Sequence, residues 1–265
     1  MGELTVISLR FYAELNDFLP PSRRQTTYTL QLKGQPTVKD VIESQGAPHP
    51  EIDLILVNNQ SVAFDYRVQD GDRIAVYPEF ELLDITSLSR LNSRPLRVPR
   101  FILDVNLGKL ARKLRLCGFD CLYGNDYRDK QIIRMAARDK RIILTRDTGL
   151  LKNKQVTRGY WVRSTNPWDQ MEQVLNKFSL HDRIKPFNRC MDCNGMIVSV
   201  AKDEIEDQLL AQTRKHFNAF YCCTSCHKIF WRGSHYQRMT DYLNRLMQSY
   251  RENLRHPSAN YTAHP

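Results

Sequence analysis

Phe101-Ile102-Leu103-Asp104 is the stretch on which the reading of this chain turns: an apolar run that ends on a lone aspartate. Arg141-Ile142-Ile143-Leu144-Thr145-Arg146-Asp147 echoes it further on. Short apolar runs bounded by polar residues read as buried strands. In open α/β sheets the functional crevice lies outside the carboxyl ends of the strands, so each run delivers a carboxylate to the place where ligands bind.

The surroundings support that reading. Leu107, Leu110, Ala111 and Leu114 follow Asp104 at helical spacing, and Gly118 is a candidate C-cap. Phe119–Tyr123 reads as a short strand, and Asp129 starts a helix carrying Ile132, Ile133 and Ala136. Ile142–Thr145 and Gly159–Arg163 are further strands, and Pro167-Trp168-Asp169 opens a helix through Met171, Val174, Leu175 and Phe178. Strand and helix in alternation imply a parallel sheet with helices on both faces.

Residues 1–81 have a different rhythm. Residues 4–10 and 26–32 read as strands, Thr37 caps a helix through Val38, Val41 and Ile42, and Ile52–Val57 and Arg73–Tyr77 are strands again. That order is a ubiquitin-like β-grasp. It resembles the small sulfur-carrier proteins of that fold at Arg10-Phe11-Tyr12-Ala13-Glu14-Leu15 and at Asp70-Gly71-Asp72-Arg73-Ile74-Ala75-Val76-Tyr77-Pro78. The carriers finish in a free Gly-Gly. This chain continues through Glu79-Phe80-Glu81 instead, so an interaction or substrate-positioning role is expected, with a protein partner through this domain.

Residues 82–99 have linker composition, rich in Ser, Asn, Pro and Arg. Residues 236–255 read as an amphipathic helix with Tyr236, Met239, Leu243, Leu246, Met247 and Tyr250 on one stripe, and the tail from His256 is expected to be disordered. The organisation expected is therefore a β-grasp domain over 1–81, a linker over 82–99, an α/β domain over 100–187, a cysteine-rich module over 188–239 and a helix with tail over 240–265.

The net charge of +10 is unevenly placed. Residues 1–89 hold 7 Lys/Arg against 13 Asp/Glu, residues 90–187 hold 22 against 9, and residues 188–265 hold 10 against 7. So basic a middle segment suits a polyanion, because Lys and Arg contacts to phosphates release counterions; a solvated basic face is the plain alternative. No run of ~18 apolar residues offers a membrane span. With no visible secretory signal, a soluble, cytoplasmic protein without membrane attachment is expected.

Asp104 and Asp147 end two strands, and Asp129 lies in the first turn of the intervening helix, at the same sheet edge. Three converging carboxylates repel one another unless a cation joins them, and hard oxygen ligands suit Mg²⁺ or Mn²⁺. Each also has a structural alternative: Asp129 as a first-turn acid, Asp104 and Asp147 as caps. Lys109, Arg112 and Arg115 crowd the helix after Asp104, and Arg146 adjoins Asp147. They are candidates for contacts to substrate phosphates or, equally, for balancing the acids.

Asp104, the helix from Leu107 through Lys109, Arg112 and Arg115 to Asp120, Asp129 before Ile132, and Leu144-Thr145-Arg146-Asp147 resemble the PIN-like ribonuclease family named for the C-terminal region of the Mut-seven exonuclease. So do Arg189-Cys190-Met191-Asp192-Cys193-Asn194-Gly195 and Trp231-Arg232-Gly233-Ser234-His235. The resemblance spans about residues 100–239, and some bacterial members also carry an N-terminal ubiquitin-like domain. It implies an α/β, PIN-like three-layer parallel sheet, metal-dependent RNA cleavage, and Asp104, Asp129 and Asp147 as catalytic metal ligands. It also implies RNA as partner, tRNA or another structured RNA included; PIN domains frequently pair, which leaves a homodimer open. PIN nucleases often use a fourth acid, for which Asp126 and Asp169 are candidates.

Five of the seven cysteines crowd near the C-terminus. Cys190-x2-Cys193 and Cys223-x2-Cys226 form two knuckles, the spacing of a tetrahedral structural zinc ribbon. Such a closed site holds a fold together and leaves no open position for chemistry. Cys222 is a poorer fit than Cys223, and His227 and His235 are poorly spaced. Cys117 and Cys121 read as buried thiols. Tyr221, Phe230, Trp231 and Arg232 are available to RNA, although burial of Trp231 in the ribbon core is the expectation. A metal-dependent ribonuclease leads; a non-catalytic RNA- or ribosome-associated protein and an adaptor are the alternatives.

Overall fold

The computed structural model describes residues 4–78, 91 and 99–255. Most of the expected linker and the tail from residue 256 lie outside the described residues. By its internal contacts the chain divides into two compact units, residues 1–111 with 121–178, and residues 112–120 with 179–265.

The first unit begins with a five-stranded sheet of β1 (Leu4–Phe11), β2 (Tyr28–Lys33), β3 (Ile52–Val57), β4 (Gln60–Ser61) and β5 (Arg73–Pro78) in the order β2-β1-β5-β3-β4. β1 and β5 run parallel at its centre, with Leu9 opposite Ile74. Alternation explains the register: Ile7, Leu9 and Phe11 point into the core, while Leu4, Val6 and Ser8 point away. Helix α1 (Val38–Ser44) covers that face with Val38, Val41 and Ile42. Each such side chain contributes about 1.5–3 kcal/mol when fully buried. Thr37 starts the helix as expected, in a reciprocal capping box with Asp40. This is the β-grasp order expected from the sequence.

The same unit contains a second, four-stranded sheet. Its strands β6 (Arg100–Leu103), β7 (Asp120–Leu122), β8 (Ile142–Thr145) and β9 (Gly159–Trp161) lie in the order β7-β6-β8-β9. β6, β8 and β9 are mutually parallel, with Leu103 opposite Leu144 and Thr145 opposite Trp161. α2 (Gly108–Leu116) follows β6, α3 (Asp129–Asp139) leads into β8, α4 (Thr148–Leu151) follows β8, and α5 (Pro167–Lys177) follows β9 behind an Asn166 cap. Ile102, Ile132, Ile133, Ile143, Leu150 and Leu151 share one core, which explains why the strands read as unbroken apolar runs.

The two sheets of this unit meet through a buried polar network with no local signature in the sequence. Glu51 accepts from the backbone N–H of Trp161, and the Arg163 guanidinium lies 3.8 Å from its other oxygen. Arg163 also bonds Asp17 at 2.7 Å, Lys177 bonds Glu14 at 3.2 Å, and His49 bonds the Val156 carbonyl at 2.6 Å. Burial raises the Glu51 carboxyl to about 7, against the opposing pull of Arg163 and Lys177.

In the second unit, β10 (Ile197–Val200), β11 (Phe220–Cys223) and β12 (Ile229–Trp231) form an antiparallel ribbon. The short α6 (Ala211–His216) precedes β11, and α7 (Ser234–Arg255) follows β12. Leu243 and Leu246 of the expected stripe are buried. Gly118 caps its helix at φ +93°, where an added Cβ would also collide with the Lys185 carbonyl. Trp231 departs from expectation: it is 38% exposed, because β12 is an edge strand and Phe220, opposite it, fills the ribbon core. Among the described residues no helix is long and apolar enough to cross a membrane.

Candidate active site and metal centre

Asp104 is the first residue after β6, and its N–H extends the ladder to the Leu144 carbonyl at 3.2 Å. It is only 6% exposed, so its carboxylate must be paired. Oδ1 accepts from the Asn106 N–H at 2.8 Å. Oδ2 accepts from the Arg146 N–H at 3.0 Å and from the Thr145 hydroxyl. That hydroxyl in turn accepts from the Asp147 N–H at 2.8 Å. Thr145, fully buried at the end of β8, therefore ties the two strand-end aspartates together. By sequence Thr145 reads only as strand; its place two residues before an aspartate is the signal that could have found it.

Asp147 is exposed, and its Oδ1 caps α4 through the Gly149 N–H at 2.7 Å. A Cβ on residue 149 would stand 3.0 Å from that oxygen, so glycine permits the approach. Asp129 is exposed in the first turn of α3. The two candidates for a fourth acid are also exposed. Asp169 accepts from the Ser164 hydroxyl at 3.3 Å, and Asp126 lies in the turn before α3.

The basic residues divide. Lys109 is exposed on α2. Arg146 is exposed, and its guanidinium donates to the carbonyls of Arg163 and Ser164. Arg115 is 3% exposed and donates to the carbonyls of Met191 at 3.0 Å and Asp192 at 2.8 Å, so it builds the first cysteine knuckle. Arg112 pairs with Asp192, which Lys228 also bonds at 2.5 Å. The Lys228 hydrogen bond and the nearby Arg112 hold the Asp192 carboxyl below its ordinary value.

The four cysteine sulfurs meet. The ligand atoms of Cys190, Cys193, Cys223 and Cys226 all lie within 4.8 Å of one another. The two knuckles share one design. Cys190 and Cys223 donate to the carbonyls of Gly195 and Lys228, while Asn194 and His227 donate back to the carbonyls of Cys190 and Cys223. Asn194 and His227 both take positive φ, +70° and +58°, which turns the chain around the sulfurs. The N–H groups of Gly195 and Ser225 point at the sulfurs of Cys193 and Cys223, each at 3.4 Å. Thiolate ligands oriented by backbone N–H groups fit a tetrahedral zinc. Cys222 is outside the set, as are Cys117 and Cys121, both fully buried; burial pushes the Cys117 thiol up to about 12.

Among the described residues, the three aspartates are not drawn into so tight a cluster.

Two solved structures of small archaeal modifier protein 1 from Haloferax volcanii are similar to a part of the chain. Each is 19% identical and covers 29% of this chain; the chain spans 99% and 97% of theirs, with TM-scores of 0.24 and 0.23. No functionally curated protein matches. The family model for the Mut7-C ubiquitin domain matches residues 4–84, and that for the Mut7-C RNAse domain matches residues 99–243, more than half of the chain. With its strand-end aspartates and its four-cysteine knuckle pair inside that match, the chain belongs to the Mut7-C RNase family.

Proposed function

We propose that this protein is a divalent-metal-dependent ribonuclease that hydrolyses RNA phosphodiester bonds at the edge formed by Asp104, Asp129 and Asp147. What carries the reading is the Asp104–Thr145–Asp147 linkage at the carboxyl ends of β6 and β8, inside a region matched by an RNase family. A bound Mg²⁺ or Mn²⁺ would polarise a phosphoryl oxygen and make a bound water more acidic. The chain's own residues do the rest. Thr145 and the Arg146 N–H fix the Asp104 carboxylate in one orientation, Asp147 and Asp129 would contribute exposed carboxylates to the same ion, and Lys109 and Arg146 would supply positive charge for the RNA backbone. Arg115, buried and bonded to the first knuckle, is left out of this role. The zinc ribbon is structural.

The test is cleavage of single-stranded and structured RNA with Mn²⁺ present. Wild-type protein cleaves and Asp147→Asn loses most activity; equal rates for the two would sink the reading. A second reading is favoured by one observation: Asp104 and Asp147 also serve as caps, the structural alternative for both. On that reading the chain binds RNA without cutting it, and neither wild type nor variant cleaves.

A further inference from the structure

The second unit contains a groove of about 610 Å³ that the proposed chemistry does not use. One wall is the ribbon sheet, where register places Ser199, Tyr221 and Phe230 in one cross-strand row. Phe187 and Tyr236 also line it, with ring centroids 4.3 Å apart. Trp231, paired with Phe220 in the next row, points to the other face of the ribbon and packs near Phe217. The Arg232 guanidinium lies between two rings, 5.7 Å from Tyr221 and 5.6 Å from Tyr236. Half-buried aromatics on an open sheet face, interleaved with guanidinium groups, make a stacking platform.

Charge selects the occupant. Four cations line the groove, Arg112, Arg189, Lys228 and Arg232, against one carboxylate, Asp192. Arg112 and Lys228 already neutralise that carboxylate. An acidic peptide would satisfy the cations and leave the aromatic faces unused. A single strand of nucleic acid offers both an anionic backbone and flat faces, and the volume accommodates about one or two nucleotides. We propose that this groove is a base-stacking subsite for single-stranded RNA, built from residues other than those of the aspartate edge. The choice of RNA rests on the ribonuclease reading above.

The test uses the full-length, zinc-loaded chain without added Mg²⁺ or Mn²⁺. The probe is fluorescein-labelled oligouridine of about 12 nucleotides, followed by anisotropy. Loss of one base–aromatic stack weakens binding by roughly 5- to 150-fold, so Tyr221→Ala and Tyr236→Ala are each expected to fall in that range. Tyr221→Phe should stay near wild type, and duplex RNA of equal length should bind more weakly. Zinc content and thermal melting verify each fold; should Tyr221→Ala lose zinc, Tyr236→Ala and Arg232→Gln carry the test. Wild-type affinity in those variants would overturn the proposal, as would displacement of the probe by polyglutamate at equal concentration. Asp147→Asn separates the two readings. If it cannot cleave but binds oligouridine normally, while the groove variants lose binding, both stand. If it cannot cleave and the groove variants bind normally, only the groove proposal fails. If it cleaves like wild type, the aspartate reading fails.

Discussion

Thr145→Val is the most instructive single change. The two side chains are nearly the same size, so the fully buried site stays filled while one hydroxyl disappears. Two hydrogen bonds go with it, the donation to Asp104 and the acceptance from the Asp147 N–H. A hydrogen bond to a charged group is worth about 1.5–3 kcal/mol, and a backbone N–H left unpaired costs about 1 kcal/mol more where partly buried. The extra buried methyl returns about 0.8 kcal/mol. Asp104 keeps its bonds from Asn106 and Arg146, so it is weakened and not stranded. The net loss expected is about 2–3 kcal/mol, or roughly 4–12 °C in melting temperature for a unit of this size. Urea unfolding at neutral pH measures it, with Thr145→Ser as the companion. Serine keeps the hydroxyl and should lose only about 1 kcal/mol. RNA cleavage should follow the same order, with serine near wild type and valine well below it. A valine variant as stable as wild type, or more stable than the serine variant, would refute the bridging role given to Thr145.

Three further outcomes are expected. Glu51 has a folded-state value raised to about 7, so the folded state holds its proton more tightly than the unfolded chain does; stability from this group is present at low pH and is lost as pH rises from about 4.5 through 7. Glu51→Gln keeps an acceptor for the Trp161 N–H, and its stability relative to wild type should climb over that window by up to about 3 kcal/mol; a difference independent of pH would reject the buried carboxyl as its source. Arg115→Ala removes bonds to the carbonyls of Met191 and Asp192, and it should release zinc to a chelator markedly faster than wild type; unchanged release would show that the knuckle does not depend on it. Metal analysis should find one zinc per chain, and Cys190→Ser should unfold the ribbon, whereas well under one zinc in the wild-type protein would dismiss the four-cysteine site.

Much of this architecture is legible in the sequence, and the reasons are local. Strands β6 and β8 carry unbroken apolar runs because both faces of a parallel sheet are covered. Thr37 and Gly118 advertise a helix start and a helix end through backbone needs that few residues meet. Two CxxC pairs announce the meeting of four sulfurs by spacing alone. What sequence reasoning misses depends on partners distant in the chain. Arg115 resembles a phosphate ligand because its helix is cationic; its partners lie 76 and 77 residues away. Glu51 gives no local hint, since Trp161 and Arg163 approach it only after two sheets have formed. Hydrophobicity alone puts Trp231 inside the ribbon, because it does not tell an edge strand from a central one. Thr145 is hidden in plain view: threonine at a strand end is ordinary β composition, and nothing in that composition shows what its hydroxyl bonds.

The claim that the strand-end aspartates hold a catalytic divalent ion is open to one direct measurement: anomalous diffraction at the manganese edge from crystals soaked in Mn²⁺. A peak within about 2–2.5 Å of carboxylate oxygens of Asp104 or Asp147, absent in Asp147→Asn crystals, is the expected result. Manganese density confined to other sites, with both carboxylates still engaged only by Thr145, Asn106, Arg146 and Gly149, would contradict it.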